Sequence, residues 1–157
     1  MKYVNSTEVL AGETYSYRLQ YSSQDTANAS NLVLFDVLEN NAGDREHWKG
    51  TLQSVDVSSA ISKGIDAKVL YATKKNIHLS TNSAGLIGDA DIDDDTIWTT
   101  EKPKDLSTIT AVAIDLRKSL EGNSFILAPQ QQVSAIIHMK APTEHVDEYM
   151  KKKYIGL

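Results

Sequence analysis

The fold is decided by residues 8–39, EVLAGETYSYRLQYSSQDTANASNLVLFDVLE, in which two strand patterns flank a polar turn. Side chains alternate from residue 14, and the apolar face carries Tyr15, Tyr17, Leu19 and Tyr21. A period of two is typical of a half-buried strand, because successive side chains of a strand point to opposite faces of its sheet. Residues 32–38, LVLFDVL, are almost continuously apolar. Such a run indicates a strand that is covered on both faces or lies at the core of a sandwich.

Six further segments carry strand patterns, and turn signals separate them. They are residues 2–10, 48–57, 67–72, 77–79, 109–116 and 132–140. One helix is predicted, at residues 143–155, where acidic residues come early, lysines come late, and Val146, Met150 and Tyr154 form an apolar stripe. We therefore predict an all-β fold, a β-sandwich of about seven to eight strands with a short C-terminal helix.

Strand alternation also predicts which side chains meet between the two sheets. The expected inter-sheet core consists of Tyr15, Tyr17, Leu19, Val33, Phe35, Val37, Val69, Tyr71, Val112, Ile114, Val133, Ala135 and Ile137. Asp36 interrupts an apolar run. Because an unpartnered buried carboxyl group is costly, we expect Asp36 to have a partner or to lie at a strand end.

Composition sets limits on function. The chain has 157 residues, which suits one domain, and its net charge of −5 argues against a nucleic-acid partner. It has no cysteine, which excludes disulfides, thiolate nucleophiles and cysteine-based metal sites. It also lacks an apolar stretch of the ~20 residues that a membrane-spanning helix needs, so we predict no membrane insertion. No signal peptide follows Met1. The protein is therefore either cytoplasmic or a segment of a longer protein.

The densest group of charged residues is an acidic run at residues 89–95, DADIDDD. Alternate Asp residues are similar in spacing to the oxygen ligands of a calcium loop, which makes Asp89, Asp91, Asp93 and Asp95 candidate metal ligands. The pattern is incomplete, because Asp94 stands where that loop requires glycine and Thr100 stands where it requires glutamate. We therefore favour a solvated acidic loop and predict weak calcium binding or none.

Catalytic motifs are absent from the sequence. It contains no G-x-S-x-G, no phosphate-binding loop and no G-x-G-x-x-G, so we predict no catalytic residue and no cofactor. The carboxylates Asp36, Asp66 and Asp115 lie in or beside strands, but nothing in the sequence brings two of them together. Trp48 and Trp98 are candidates for stacking on a sugar ring, with core packing as the favoured interpretation.

The strands together resemble a known family. AGETYSYRLQY followed by ANASNLVLFDVLEN, and later KVLYATKK followed by ITAVAIDLRKSLEGNSFILAPQQQVSAIIHMKAP, are similar to the strand motifs of repeat domains in Gram-positive cell-wall-anchored surface proteins. The resemblance covers most of residues 8–143. It implies an immunoglobulin-like sandwich that serves as an extracellular stalk or adhesin module. It also implies that the partners are neighbouring domains of the same polypeptide, with a host protein or a glycan as a further candidate.

The chain departs from this pattern at two places. Gln130 and Gln131 stand where a turn glycine is usual. Some related domains carry a Lys–Asn isopeptide crosslink whose asparagine lies on a final strand, and no such strand pattern follows Ile155. We therefore predict one domain over residues 1–157, with a final strand of the parent domain as a candidate missing element, and no crosslink.

The expected function is a non-catalytic structural or adhesive module of a bacterial cell-surface protein, anchored to the cell wall as part of a longer chain. The alternative is a carbohydrate-binding module attached to a secreted enzyme. A small enzyme ranks last, because the sequence shows no nucleophile–base pair and no metal-ligand set.

Overall fold

Ten β-strands make up most of the regular structure in the computed structural model, which describes residues 2–4, 12–38, 50–79, 81–82 and 85–141. The strands are β1 (Lys2–Val4), β2 (Thr14–Ser22), β3 (Val33–Val37), β4 (Thr51–Asp56), β5 (Lys68–Ala72), β6 (Thr81–Asn82), β7 (Gly85–Leu86), β8 (Trp98–Thr99), β9 (Ala111–Asp115) and β10 (Gln132–Lys140). One short helix, α1 (Ser58–Ser62), and two 3-10 turns, Gly88–Ala90 and Leu106–Thr108, complete the elements of these ranges. The predicted helix at residues 143–155 lies outside the described residues.

The strands form two antiparallel four-stranded sheets and one small hairpin. The first sheet has the order β1-β2-β10-β4, and the second has the order β3-β9-β5-β8. Strands β6 and β7 pair only with each other within the described part of the chain. The mostly β architecture with little helix agrees with the all-β prediction.

Strands β2 and β10 form the longest ladder. They pair over nine positions, from Ser22 with Gln132 to Thr14 with Lys140. Both strands alternate in burial as their sequences do, so Tyr17 and Leu19 of β2 face the core beside Ala135 and Ile137 of β10. The predicted strands at residues 14–21 and 132–140 are confirmed.

The two sheets pack face to face through one apolar core. Of the predicted members, eight are buried there: Tyr17, Leu19, Tyr71, Val112, Ile114, Val133, Ala135 and Ile137. Tyr15 and Val69 are partly buried against the same core. The side-chain alternation of these strands is therefore a reliable guide to the inter-sheet face.

The predicted face of β3 is wrong. Val33 and Phe35 pack into a second cluster on the outer face of the second sheet, and Val37 is 39% exposed. Leu34 and Asp36 face the inter-sheet core instead, paired in register with Ile114 and Val112. The reason is that β3 is covered on both faces, so its apolar run carries no period that shows which face is inward.

The second cluster exists because the chain between β5 and β9 folds over the outer face of the second sheet. Ile77, Ile92 and Trp98 from this segment pack on Leu70, Ala72, Ala111 and Ala113. Residues 77–79, predicted as a short strand, have no strand structure, whereas residues 81–90, for which the sequence predicts no strand, contain β6, β7 and a 3-10 turn. These short elements lack the alternation that would reveal them in a sequence.

Candidate functional site

Asp89 is the first residue of the acidic run and joins two stretches of residues 73–110, the covering segment that folds over the outer face of the second sheet. Its side chain accepts hydrogen bonds from Lys74 Nζ at 2.6 Å and from the His78 backbone N–H at 2.9 Å. The His78 N–H, followed by the Lys74 hydrogen bond, lowers the pKa of Asp89 below its ordinary value. Asp89 therefore has a clear structural role: it anchors the 3-10 turn to residues 74–78.

Asp93 forms a two-point ion pair with Arg117, which follows β9. Arg117 Nη2 lies 2.8 Å from Asp93 Oδ1, and Nη1 lies 3.1 Å from Oδ2. The same guanidinium group contacts Asp115, with Nε 2.9 Å from Oδ1 and Nη2 3.0 Å from Oδ2. These hydrogen bonds raise the pKa of Arg117 above its usual value and lower that of Asp93. Arg117 thus ties the acidic run to the end of β9.

The other candidate calcium ligands are placed differently. Asp91 Oδ1 accepts a hydrogen bond from the Asp93 backbone N–H at 3.1 Å, and Asp95 is exposed. Over the described ranges, no group of three or more His, Asp or Glu side chains is arranged to hold a metal ion. Weak or absent calcium binding stays a prediction.

Trp98 is buried and cannot offer a ring face to a sugar. It is 2% exposed, its Nε1–H donates to the Asp89 carbonyl oxygen at 2.8 Å, and its ring lies 5.9 Å from that of Phe35. This position agrees with core packing, the favoured interpretation of Trp98, and leaves no ring face for stacking on a sugar. Trp48, the other candidate, lies outside the described residues.

The three strand carboxylates are held by different partners. Asp36 accepts a hydrogen bond from the Tyr17 hydroxyl, Asp66 lies 3.9 Å from Lys68 Nζ, and Asp115 binds Arg117. Asp36 is only 2% exposed, and its contact with Tyr17 joins β3 of one sheet to β2 of the other. The expectation that Asp36 has a partner is confirmed. Burial, followed by the nearby Asp36 carboxyl, raises the pKa values of both Tyr15 and Tyr17.

A cleft of about 570 Å³ opens beside β3, and the sequence did not predict it. Residues 31–35 form one wall, and the rest of the lining comes from Tyr21, Leu86, Asp91, Asp93 and Arg117. Leu34 and Tyr21 pack toward the inter-sheet core, whereas Phe35 and Leu86 belong to the outer cluster. Side chains from both faces of β3 therefore border the cleft, which places it along the edge of the strand.

Strand β3 has neighbours on one side only in its sheet, as the described residues define it. Leu116 N–H donates to the Leu32 carbonyl at 2.9 Å, and Leu38 N–H donates to the Thr110 carbonyl at 2.7 Å. In an antiparallel ladder, hydrogen-bonded residues alternate with residues whose main-chain groups face the other way, so the even-numbered residues from 32 to 38 bond β9 and the odd-numbered residues between them do not. The N–H and C=O groups of Val33 and Phe35 therefore point away from β9, toward the cleft edge.

Sequence reasoning missed this cleft because its walls come from five separate parts of the chain. The sequence signal for the cleft is Arg117, an arginine directly after a predicted strand, but its partner Asp93 is 24 positions away in the chain.

Comparison of the chain with protein-family models, curated proteins and solved structures finds no match. The described residues contain no helix long and apolar enough to cross a membrane.

Proposed function

We propose that this chain is a non-catalytic, immunoglobulin-like spacer module of an extracellular bacterial surface protein, anchored to the cell wall as part of a longer polypeptide. The observation that supports this proposal is the direction of β1 and β10, which are the first and the last strands of the first sheet along the described chain. Strand β1 is antiparallel to β2, and β2 is antiparallel to β10, so β1 and β10 run the same way. Measured along β2, β1 begins opposite Leu19, and β10 ends opposite Thr14, farther toward the other end of the sheet.

That arrangement suits a module that transmits tension. Force applied to the start of β1 and the end of β10 acts along the strands, whereas their inter-strand hydrogen bonds are perpendicular to them. The ladders must then slide, with many hydrogen bonds loaded together. The three-position ladder of β1 with β2 and the nine-position ladder of β2 with β10 carry this load in series, so the shorter ladder sets the force at which sliding begins.

The polar contacts also support a structural role. One contact fixes a loop to a strand, through Arg117 with Asp93 and Asp115. A second fixes the covering segment, through Lys74 and Asp89. A third joins the two sheets, through Tyr17 and Asp36. The alternative, a carbohydrate-binding module, has less support because Trp98 is buried.

Force spectroscopy tests the mechanical part of the proposal. The chain contains no cysteine, so two introduced cysteines give unique attachment points. Lys2→Cys with Lys140→Cys loads the first sheet along its strands. Ser22→Cys with Gln132→Cys is the matched control, because these two residues are register partners at one end of the ladder and pulling on them opens the ladder pair by pair.

We expect the first pair to withstand a clearly higher unfolding force than the second. An equal or lower force along the strands contradicts a load-bearing role. The surface location has a separate test in the parent gene. A signal peptide, tandem copies of this domain and a cell-wall sorting signal are expected, and a gene that encodes a single cytoplasmic domain contradicts the location.

A further inference from the structure

We propose that the open edge of β3 is a binding site for an extended peptide that carries basic side chains. The peptide would add a strand to the second sheet within the cleft. This site does not depend on the spacer role, because a strand edge can bind a peptide whether or not the module bears load.

The main chain of β3 supplies the first part of the site. Val33 and Phe35 each direct one N–H and one C=O away from β9, as the register of the ladder requires. Their spacing is about 6.6 Å, because two residues of a strand advance by that distance. A partner strand repeats its own outward groups at the same spacing, so it can form hydrogen bonds with both residues.

The side walls supply the second part. An added strand directs alternate side chains to opposite faces of the sheet. On one face they meet Leu34 and Tyr21, and on the other they meet Phe35 and Leu86. Both walls are largely apolar, so the cleft can accept apolar residues at alternate positions of the peptide.

The charges at one end of the cleft select the class of peptide. Asp93 and Asp115 bind the guanidinium group of Arg117, and Asp91 lines the same end of the cleft, so the carboxylates there outnumber the cation. Asp93 is 70% exposed despite its ion pair and remains open to a second cationic group. A lysine or arginine of the peptide complements this end, whereas an acidic peptide is repelled.

The binding experiment uses three labelled hexapeptides and the whole chain. The first peptide alternates lysine and valine, and the second alternates glutamate and valine. The third has the sequence of the first, but every second backbone nitrogen is methylated, so that one edge of the extended peptide has no N–H donors. Fluorescence anisotropy measures affinity, and NMR measures amide hydrogen exchange at Val33 and Phe35. We expect the lysine peptide to bind and to slow exchange at both amides.

The control peptides separate charge from strand pairing. We expect roughly tenfold weaker binding of the glutamate peptide and of the methylated peptide, because each lacks one of the two interactions. Equal binding of the methylated peptide overturns the proposal, since charge alone would then explain the affinity. Unchanged exchange at Val33 and Phe35 also overturns it, because the peptide would then bind elsewhere or another segment of the chain would occupy the edge.

A protein variant gives an independent test. Val33→Pro removes an N–H that points away from β9, and proline is tolerated at such edge positions. Val33→Ala is the matched control for the lost side chain. We expect the lysine peptide to bind Val33→Pro roughly tenfold more weakly than it binds Val33→Ala, because both variants lose the valine side chain and only Val33→Pro loses the N–H.

Two further results would decide against the site. Equal affinities of the two variants refute a role for the edge. If Val33→Pro fails to fold, the methylated peptide still decides the question. A neutral oligosaccharide that shifts the NMR signals of Tyr21 and Asn31, with no response to any peptide, would assign the cleft to a glycan instead.

Discussion

Replacing Tyr17 with phenylalanine removes the hydroxyl group that donates to Asp36 across the two sheets. Asp36 is 2% exposed, so no bulk water takes the place of this donor. Removing one partner of a buried hydrogen bond costs about 1–3 kcal/mol, and more when the remaining group is charged. The ring of Tyr17 stays in the core, so no cavity forms. We therefore expect Tyr17→Phe to lower the free energy of unfolding by about 1–3 kcal/mol.

Urea denaturation followed by circular dichroism measures this change. Tyr21→Phe is the control, because Tyr21 is a partly buried tyrosine of the same strand face, and a change within about 0.5 kcal/mol is expected for it. A second comparison uses Asp36→Leu as the background. There the cost of Tyr17→Phe should fall, because the carboxyl group that needed the donor is gone. Equal costs of Tyr17→Phe in both backgrounds, or a cost no larger than that of Tyr21→Phe, refute the reasoning.

Four further predictions concern pH, two backbone positions and covalent state. Burial and the nearby Asp36 raise the pKa of Tyr17, so its contribution to stability is complete below the unfolded-state value of about 10 and is lost as the pH rises above it. We expect alkaline urea denaturation to show a loss that is steeper by about 1.4 kcal/mol per pH unit there than in Tyr17→Phe, in which Tyr15, whose pKa burial also raises, still titrates. A methyl group at Gly50 would overlap the Tyr15 hydroxyl oxygen, so Gly50→Ala should destabilise the protein by about 1–3 kcal/mol, with partial rescue by Tyr15→Phe. Gln130 has a φ of 65°, a conformation that glycine adopts at no cost, so Gln130→Gly should raise the unfolding free energy by about 1 kcal/mol, and a decrease would contradict this account. The mass of the intact protein should equal the sequence mass, whereas a deficit of one ammonia or one water at a lysine would reveal an isopeptide crosslink.

Much of the framework follows from the sequence alone, for a physical reason. Strands β2 and β10 have one face in the core and one toward solvent, and their alternation records that difference. The need of Asp36 for a partner also follows, because a buried carboxyl group is costly in any fold. The identity of that partner does not follow, since Tyr17 lies in the opposite sheet.

The rest depends on contacts that no local pattern reveals. The inward face of β3 does not follow from the sequence, because apolar residues pack against the strand on both faces. The acidic run forms a single group in the sequence, but in the structure Asp89 binds Lys74 and Asp93 binds Arg117, and both partners lie outside the run. The cleft requires the edge position of β3, and the order of strands in a sheet is a property of the whole chain.

The long ladder between β2 and β10 has a consequence for how the protein is made. Ser22 pairs with Gln132, about 110 positions later in the chain. At synthesis rates of about 5–20 residues per second, β2 waits roughly 5–20 s for its principal partner. Contacts so distant in sequence also slow folding, because the entropy of closing the intervening loop is lost before the strands pair. During that interval an edge of β2 that is paired in the finished sheet stands exposed, and an unpaired strand edge readily joins the same edge of another nascent chain. Folding yield should therefore fall with protein concentration more steeply than the stability of the finished domain suggests.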